Sequence, residues 1–241
     1  MHRKKTGTGH PPQTLQGCSV CTLQPACLPW DLEHNDIERL ERIVDRSATL
    51  SAGDHLFRFG EALRAVYVVR SGAFKNYRLD AAGRERVLGF VFPGELVGVD
   101  GIYPRRHESN AIALKDSAIC ALPYAALTTL MESSDGLRRQ ILRLVSRDGV
   151  YSAGYTLDSA PDERVAGFLM NLSQRNSSNG RSATELGLPM SRQEIGNYLR
   201  LSADTVTRVL LRFEAEGLVE SSRDGLTLLN MRQIGDIAKT G

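Results

Sequence analysis

Three observations predict an α+β chain. Seven short strand patterns separated by turn signals fill the first half. One long helical stretch with heptad-like spacing follows. The chain then closes with two short helices joined by a tight turn and trailed by a hairpin pattern. The architecture these imply is an N-terminal antiparallel β-roll, a long connecting helix and a C-terminal winged helix-turn-helix.

The 241 residues are enough for two cores. Hydrophobic content of 41% and charged content of 24% describe a globular chain, not a disordered one. The net charge of only +2 and pI near 8.4 exclude a strongly basic nucleic-acid binder. From Asp162 onward ten basic residues balance ten acids, so any DNA contact must come from local placement. No apolar run is long enough to span a bilayer, and the polar, basic start lacks the apolar core of a secretory signal. A cytoplasmic protein without a membrane partner is expected. In that compartment four cysteines read as thiols or metal ligands rather than disulfides.

Residues 1–30 form the first segment. Residues 1–17 have the composition of a disordered tail. Cys18, Cys21 and Cys27 then make a C-x2-C-x5-C cluster in a loop with Pro25 and Pro29. The one other cysteine, Cys120, lies on a strand pattern A-I-C-A-L. Thiolates at such spacing can grip an iron–sulfur centre or a structural zinc, with Cys120 as fourth ligand. Free thiols, with Cys120 a small core residue, are the third option.

Residues 31–134 read as the β-roll with its flanking helices. Asp31 to Ser47 is helical, with Leu32, Ile37, Leu40, Ile43 and Val44 as apolar positions. Strands are predicted at 56–59, 65–70, 73–79, 86–92, 96–99, 110–114 and 118–122, between turns such as Ser71-Gly72 and Pro93-Gly94. Pro123 opens a helix over 124–132.

Residues 135–160 predict a long helix running to about Leu157. Leu137, Ile141, Leu144, Asp148, Tyr151 and Tyr155 follow a heptad-like spacing that points to pairing with a second chain. The competing assignment packs the same stripe on the chain's own β-roll. In a dimer, Asp148 would bring two carboxylates together. Gly149 and Gly154 weaken the helix. The four arginines between Leu137 and Arg147 read as a solvated face.

Residues 161–241 form the last segment, opening with a helix from Asp162 to about Gln174 and a linker, Asn176–Gly180. Ser191 and Glu194 have the spacing of a capping box, and Ile195, Tyr198 and Leu199 share one face. Ser202 can cap the next helix, whose stripe is Val206, Val209, Leu210 and Phe213. Its other face carries Asp204, Thr205, Thr207, Arg208 and Arg212. A hairpin follows around Arg223-Asp224-Gly225. A short helix with a packed stripe and a polar outer face suits a major groove, and Arg192 and Gln193 stand where the first helix meets a DNA backbone.

The run E-I-G-N-Y-L-R-L-S-A-D-T-V-T-R-V-L is similar to the DNA-binding domain of the cyclic-AMP receptor / fumarate-and-nitrate-reduction regulator superfamily. Arg70-Ser71-Gly72 and Pro93-Gly94-Glu95-Leu96 look like signatures of its cyclic-nucleotide-binding β-roll. C-x2-C-x5-C followed by Leu28-Pro29-Trp30, with Cys120-Ala121-Leu122-Pro123, resembles the oxygen-sensing iron–sulfur branch. That resemblance implies a [4Fe-4S] cluster on Cys18, Cys21, Cys27 and Cys120, converted by oxygen with loss of DNA binding. It further implies a homodimer on a palindromic operator, contact with RNA polymerase, and no enzymatic activity. The family's E-x-x-S-R motif becomes Asp204-x-x-Thr207-Arg208 here. The acid would face a cytosine amino group, Arg208 a guanine and the Thr207 methyl a thymine. Asp is one methylene short, so a half-site like T-T-G-A-T is implied with the acid's base relaxed. Arg192, Gln193, Ser202 and Thr205 match phosphate-holding positions. The run His107-Glu108-Ser109-Asn110-Ala111 has an acid where nucleotide-binding members place the phosphate arginine, so no cyclic nucleotide is expected. Rival readings are a regulator with structural zinc, one answering nitric oxide or thiol oxidation, and an iron–sulfur electron carrier.

Overall fold

The computed structural model describes residues 17–23, 26–30, 32–152, 159–223 and 225–238. Helix α1 spans His34–Ile43 and turns Ile37 and Leu40 inward. It is shorter than the predicted 31–47 because the chain leaves it extended at Val44. Asp45 then exchanges backbone hydrogen bonds with Ala121 at 2.9 and 2.7 Å, which a continuing helix would forbid.

Eight strands follow: β1 (Thr49–Leu50), β2 (His55–Phe57), β3 (Ala65–Ser71), β4 (Phe74–Leu79), β5 (Glu85–Val91), β6 (Leu96–Val97), β7 (Asn110–Ala113) and β8 (Ser117–Pro123). The seven predicted strands all have counterparts, and the two-residue β1 is added. They build two antiparallel sheets, ordered β1-β8-β3-β6 and β2-β7-β4-β5. The period-2 alternation of β3 separates two cores. Val69 points between the sheets with Val97 and Ile119, against Phe57, Phe74 and Val91 of the other sheet. Val66 and Val68 point the other way and need helical cover.

That cover comes from α1, α2 (Tyr124–Ser133) and α3 (Asp135–Ser152). Leu40, Leu127, Leu130, Leu137 and Leu144 close over Val66, Val68, Leu96 and Leu122. Burying each such leucine contributes about 1.5–3 kcal/mol. Leu137 and Leu144 are fully buried and Ile141 half-buried against this cluster. The stripe assigned to a dimer seam therefore packs on the protein's own β-roll, which corrects that assignment for Leu137, Ile141 and Leu144. The physical reason is that the outer face of the first sheet would otherwise stand bare. Among the described side chains, the apolar residues that α3 turns outward are Leu142, 63% exposed, and Val145, 38% exposed. The side chains of Asp148 and Tyr151, and residues 153–158 of the predicted helix with Tyr155, lie outside the described residues. Gly149 is accommodated inside α3.

The C-terminal part contains α4 (Pro161–Ser178), β9 (Glu185–Gly187), α5 (Arg192–Leu199), α6 (Ala203–Ala215), β10 (Val219–Ser221), β11 (Gly225–Leu228) and α7 (Met231–Ala238). The three strands form a sheet ordered β10-β11-β9. Helix α4 overruns its predicted end because Arg175 and Asn176 are anchored in place: Arg175 Nη2 donates to the Phe90 carbonyl at 2.6 Å, and Asn176 Nδ2 to the Glu185 carbonyl at 3.1 Å. Phe168, Leu169, Ile195, Val206, Phe213 and Ile234 lie in one buried core. Val87 and Phe90 of β5 join this core, so the roll and the C-terminal part are packed directly together.

Candidate metal centre and nucleic-acid interface

The three N-terminal cysteines sit on a loop tied down at several points. Ala26 and Leu28, which flank Cys27, are buried. Ser19 N donates to Glu41 of α1 at 3.0 Å, and Gln140 Nε2 of α3 donates to the Cys27 carbonyl at 2.8 Å. Cys120 pairs with Val68 across β8 and β3 and belongs to the face the helices cover. Cys18, Cys21, Cys27 and Cys120 consequently line one pocket. Its other walls include Leu28, Leu40, Val68 and Leu122, with Arg46 and Arg70 as the charged groups.

Burial disfavours the thiolate of Cys18, Cys27 and Cys120. It pushes the Cys120 thiol up to about 11, and it raises Cys18 and Cys27 as well. Against that trend, Arg46 Nη2 donates to Cys18 Sγ at 3.0 Å. Among the described residues, no three His, Cys, Asp or Glu side chains converge as ligands of one ion; the four sulfurs surround the pocket rather than a point. Arg46 and Arg70 were not singled out from sequence as part of this site. Arg46 lies in no motif, and Arg70 was read only as part of Arg-Ser-Gly.

The helix pair is built as its caps require. Ser191 Oγ accepts from Glu194 N at 3.2 Å, and Glu194 Oε2 accepts from Ser191 N at 2.8 Å, completing the box. Arg200 ends α5 in the left-handed region at φ 58°, and Leu201 N donates back to the Gly196 carbonyl at 2.8 Å. Ser202 Oγ accepts from Thr205 N at 3.1 Å and opens α6. Asp204, Thr207 and Arg208 are exposed on the outer face of α6, with Thr205 half-buried. The Thr207 hydroxyl donates to the Ala203 carbonyl at 2.9 Å, so its methyl is the free group. Leu211, 59% exposed, completes the i, i+3, i+4, i+7 stripe and was missed from sequence. At the mouth of α5, Gln193 is exposed, and Arg192 is half-buried.

Helix α5 is also docked on the roll. The Asn197 side chain accepts from Val87 N and donates to the Glu85 carbonyl, both at 2.8 Å, satisfying edge strand β5. Lys75 Nζ bonds Glu85 and Glu194 at 2.8 Å each.

A cavity of about 400 Å³ lies where the roll meets α3 and α4. Three carboxylates, Glu95, Asp100 and Glu108, line it together with two arginines, Arg78 and Arg175. Asp100 accepts from Ser109 Oγ at 2.7 Å and from Glu108 N at 3.0 Å, and Glu108 pairs with Arg78 at 2.7 Å. Arg105, near this region in sequence, stacks on Tyr124, 4.8 Å from the ring centre.

Residues 48–134 match the family model of the cyclic nucleotide-binding domain, and residues 163–237 that of the Crp-like helix-turn-helix domain. The transcriptional activator protein Anr of Pseudomonas aeruginosa is 39% identical over 224 residues, covering 92% of both chains. The chain belongs to the Crp/Fnr family. The fumarate and nitrate reduction regulatory protein of Vibrio cholerae is 36% identical over 224 residues, covering 92% of this chain and 90% of its own. Among solved structures, FixK2 of Bradyrhizobium japonicum shares the fold with a TM-score of 0.72 at 24% identity, over 80% of this chain and 97% of its own. As a Crp/Fnr member the protein is a DNA-binding transcription regulator, not an enzyme. No helix among the described residues is long and apolar enough to cross a membrane.

Proposed function

We propose that this protein is an oxygen-responsive transcription activator in which a [4Fe-4S] cluster on Cys18, Cys21, Cys27 and Cys120 controls dimerisation and operator binding. The observation that carries this reading is that four cysteines from two distant parts of the chain line a single pocket. A cubane takes one thiolate per iron, so sulfurs spread around a pocket suit it. The donor set fits: four thiols, apolar walls and two guanidinium groups. The bound cluster would supply a redox centre sensitive to oxygen.

The chain's own residues connect that centre to DNA. With its cysteines engaged, the loop is held against α3, where Gln140 binds the Cys27 carbonyl. The outer face of α3 offers Leu142 and Val145 to a second copy. A two-fold pair of winged helices then meets a palindromic operator. Asp204, Thr207 and Arg208 read base edges, with Leu211 beside them on the same stripe. Arg192, Gln193, Ser202 and Thr205 face phosphates and set the register. RNA polymerase is the further partner of an activator of this family. Both arginines of the roll's cavity are paired with carboxylates, Arg78 with Glu108 and Arg175 with Glu95, and Asp100 adds a third acid, so no cyclic nucleotide is expected there.

Anaerobic purification tests the reading, with visible absorption, iron and sulfide analysis, sizing and operator binding before and after air. The expected result is about four irons per chain, colour that bleaches in air, and operator binding lost with it. One zinc per chain, or a colourless protein that binds the operator equally in air, refutes it.

A further inference from the structure

We propose that Arg46 and Arg70 are the charge partners of the cluster: they hold its negative charge in the pocket and slow its oxidation. The inference rests on the iron–sulfur reading above and assigns a role to two residues outside the ligand set.

The pocket is otherwise apolar, so two guanidinium groups in its wall need an explanation. Arg46 lies between α1 and β1 and already donates to Cys18 Sγ at 3.0 Å. Arg70 continues the helix-covered row Val66-Val68 on β3, but the strand register slips at this residue. Val69 pairs with Ile119 and Ser71 with Ala118, leaving Arg70 without a cross-strand partner. Such a bulge re-aims a side chain, here into the cysteine pocket. Its Nε is buried and has no hydrogen-bond partner among the described residues. Buried donors in native interiors are nearly always paired, so this one marks the place of an acceptor. Four thiolates on an iron–sulfide core carry excess negative charge, and their sulfurs accept hydrogen bonds. Arg46 already reaches Cys18, and both arginines share the pocket wall with Cys120.

The consequence for oxygen follows from charge. A bound cluster that lost one electron to dioxygen, giving superoxide, would be left less negative. Adjacent positive charge stabilises the more negative state before transfer and so opposes the loss. Hydrogen bonds to the sulfurs act in the same direction.

The test uses the anaerobic holoprotein and its Arg70→Met, Arg70→Lys and Arg46→Met variants. Bleaching rate in air-saturated buffer, cluster midpoint potential and iron content are measured, with circular dichroism as a check of the fold. Each methionine variant is expected to bleach on the order of tenfold faster and to show a more negative potential. Arg70→Lys should recover most of the difference. Failure of Arg70→Met to retain iron, with an unchanged fold and recovery in Arg70→Lys, supports the same role. Wild-type rates and potentials in both methionine variants overturn the proposal while leaving the iron–sulfur reading intact. A methionine defect that lysine does not repair shows a packing role and also overturns it. A wild-type protein without iron removes the reading itself, and the proposal with it.

Discussion

Gly196→Ala separates two physical effects of opposite sign. Gly196 is in the interior of α5, where alanine is the better helix former by about 1 kcal/mol. A Cβ there would lie 2.7 Å from the Leu201 carbonyl oxygen and 3.2 Å from the Ser202 carbonyl carbon. Those atoms are backbone of the turn into α6, so no side chain can swing aside. Overpacking of this kind costs about 1–3 kcal/mol. Moving the turn also breaks the Leu201 N–H bond to the Gly196 carbonyl, at about 1 kcal/mol. The net expectation is a loss of about 1–3 kcal/mol, confined to the helix-turn-helix. Urea unfolding followed by probes in the C-terminal part reads the stability. Fluorescence anisotropy on an operator duplex reads the binding, which should fall by tenfold or so for each 1.4 kcal/mol needed to restore the turn. Iron content should not change, because the cysteine pocket is remote from this turn. A Gly196→Ala protein that is stabilised by about 1 kcal/mol and binds its operator normally would refute the close-approach argument.

Three further outcomes are expected. Arg208→Ala should weaken operator binding by about 1–3 kcal/mol and relax one base position, read by anisotropy on a panel of single-base operator variants; an equal loss on every sequence would make Arg208 a phosphate contact. Leu144→Ala should cost about 2–5 kcal/mol of β-roll stability in denaturant, whereas Leu142→Ala should leave stability nearly unchanged and weaken the dimer by anaerobic analytical ultracentrifugation; the reverse pattern would restore the inward stripe as the seam. The Lys75–Glu194 contact should be pH-sensitive. Burial is the largest single effect and opposes the charge on each, but the partners together outweigh it, Lys75 and Ser191 holding Glu194 below 4.5, and Glu194 and Glu85 holding Lys75 above 10.5. The acid's contribution is thus complete above about pH 4.5 and lost as pH falls through its lowered value; the lysine's is complete below about pH 10.5 and lost above it. Glu194→Gln should flatten the acid limb of the melting temperature against pH, and an unchanged acid limb would refute the assignment.

Local patterns marked the parts of this molecule whose structure is local. The capping box at Ser191 and Glu194 and the cap at Ser202 formed as their spacing requires, because the partners lie three residues apart. The strands were legible because turn residues punctuate a period-2 pattern. The α3 stripe was legible as a stripe but not in its partner. Leu137 and Leu144 look the same in sequence whether they meet a second chain or the first sheet.

The sequence by itself determined the class of the fold, the helix-turn-helix, and the four cysteines as the residues able to hold a metal centre. These depend on residue type, periodicity and short-range spacing. Only the tertiary structure decided that Cys120 joins the N-terminal loop, that Arg46 and Arg70 enter the same pocket, that Leu142 and Val145 face outward, and that Asn197 closes the edge of β5. Each of these depends on how segments far apart in the chain cover one another's apolar faces and unpaired backbone groups, and no local pattern encodes that choice of partner.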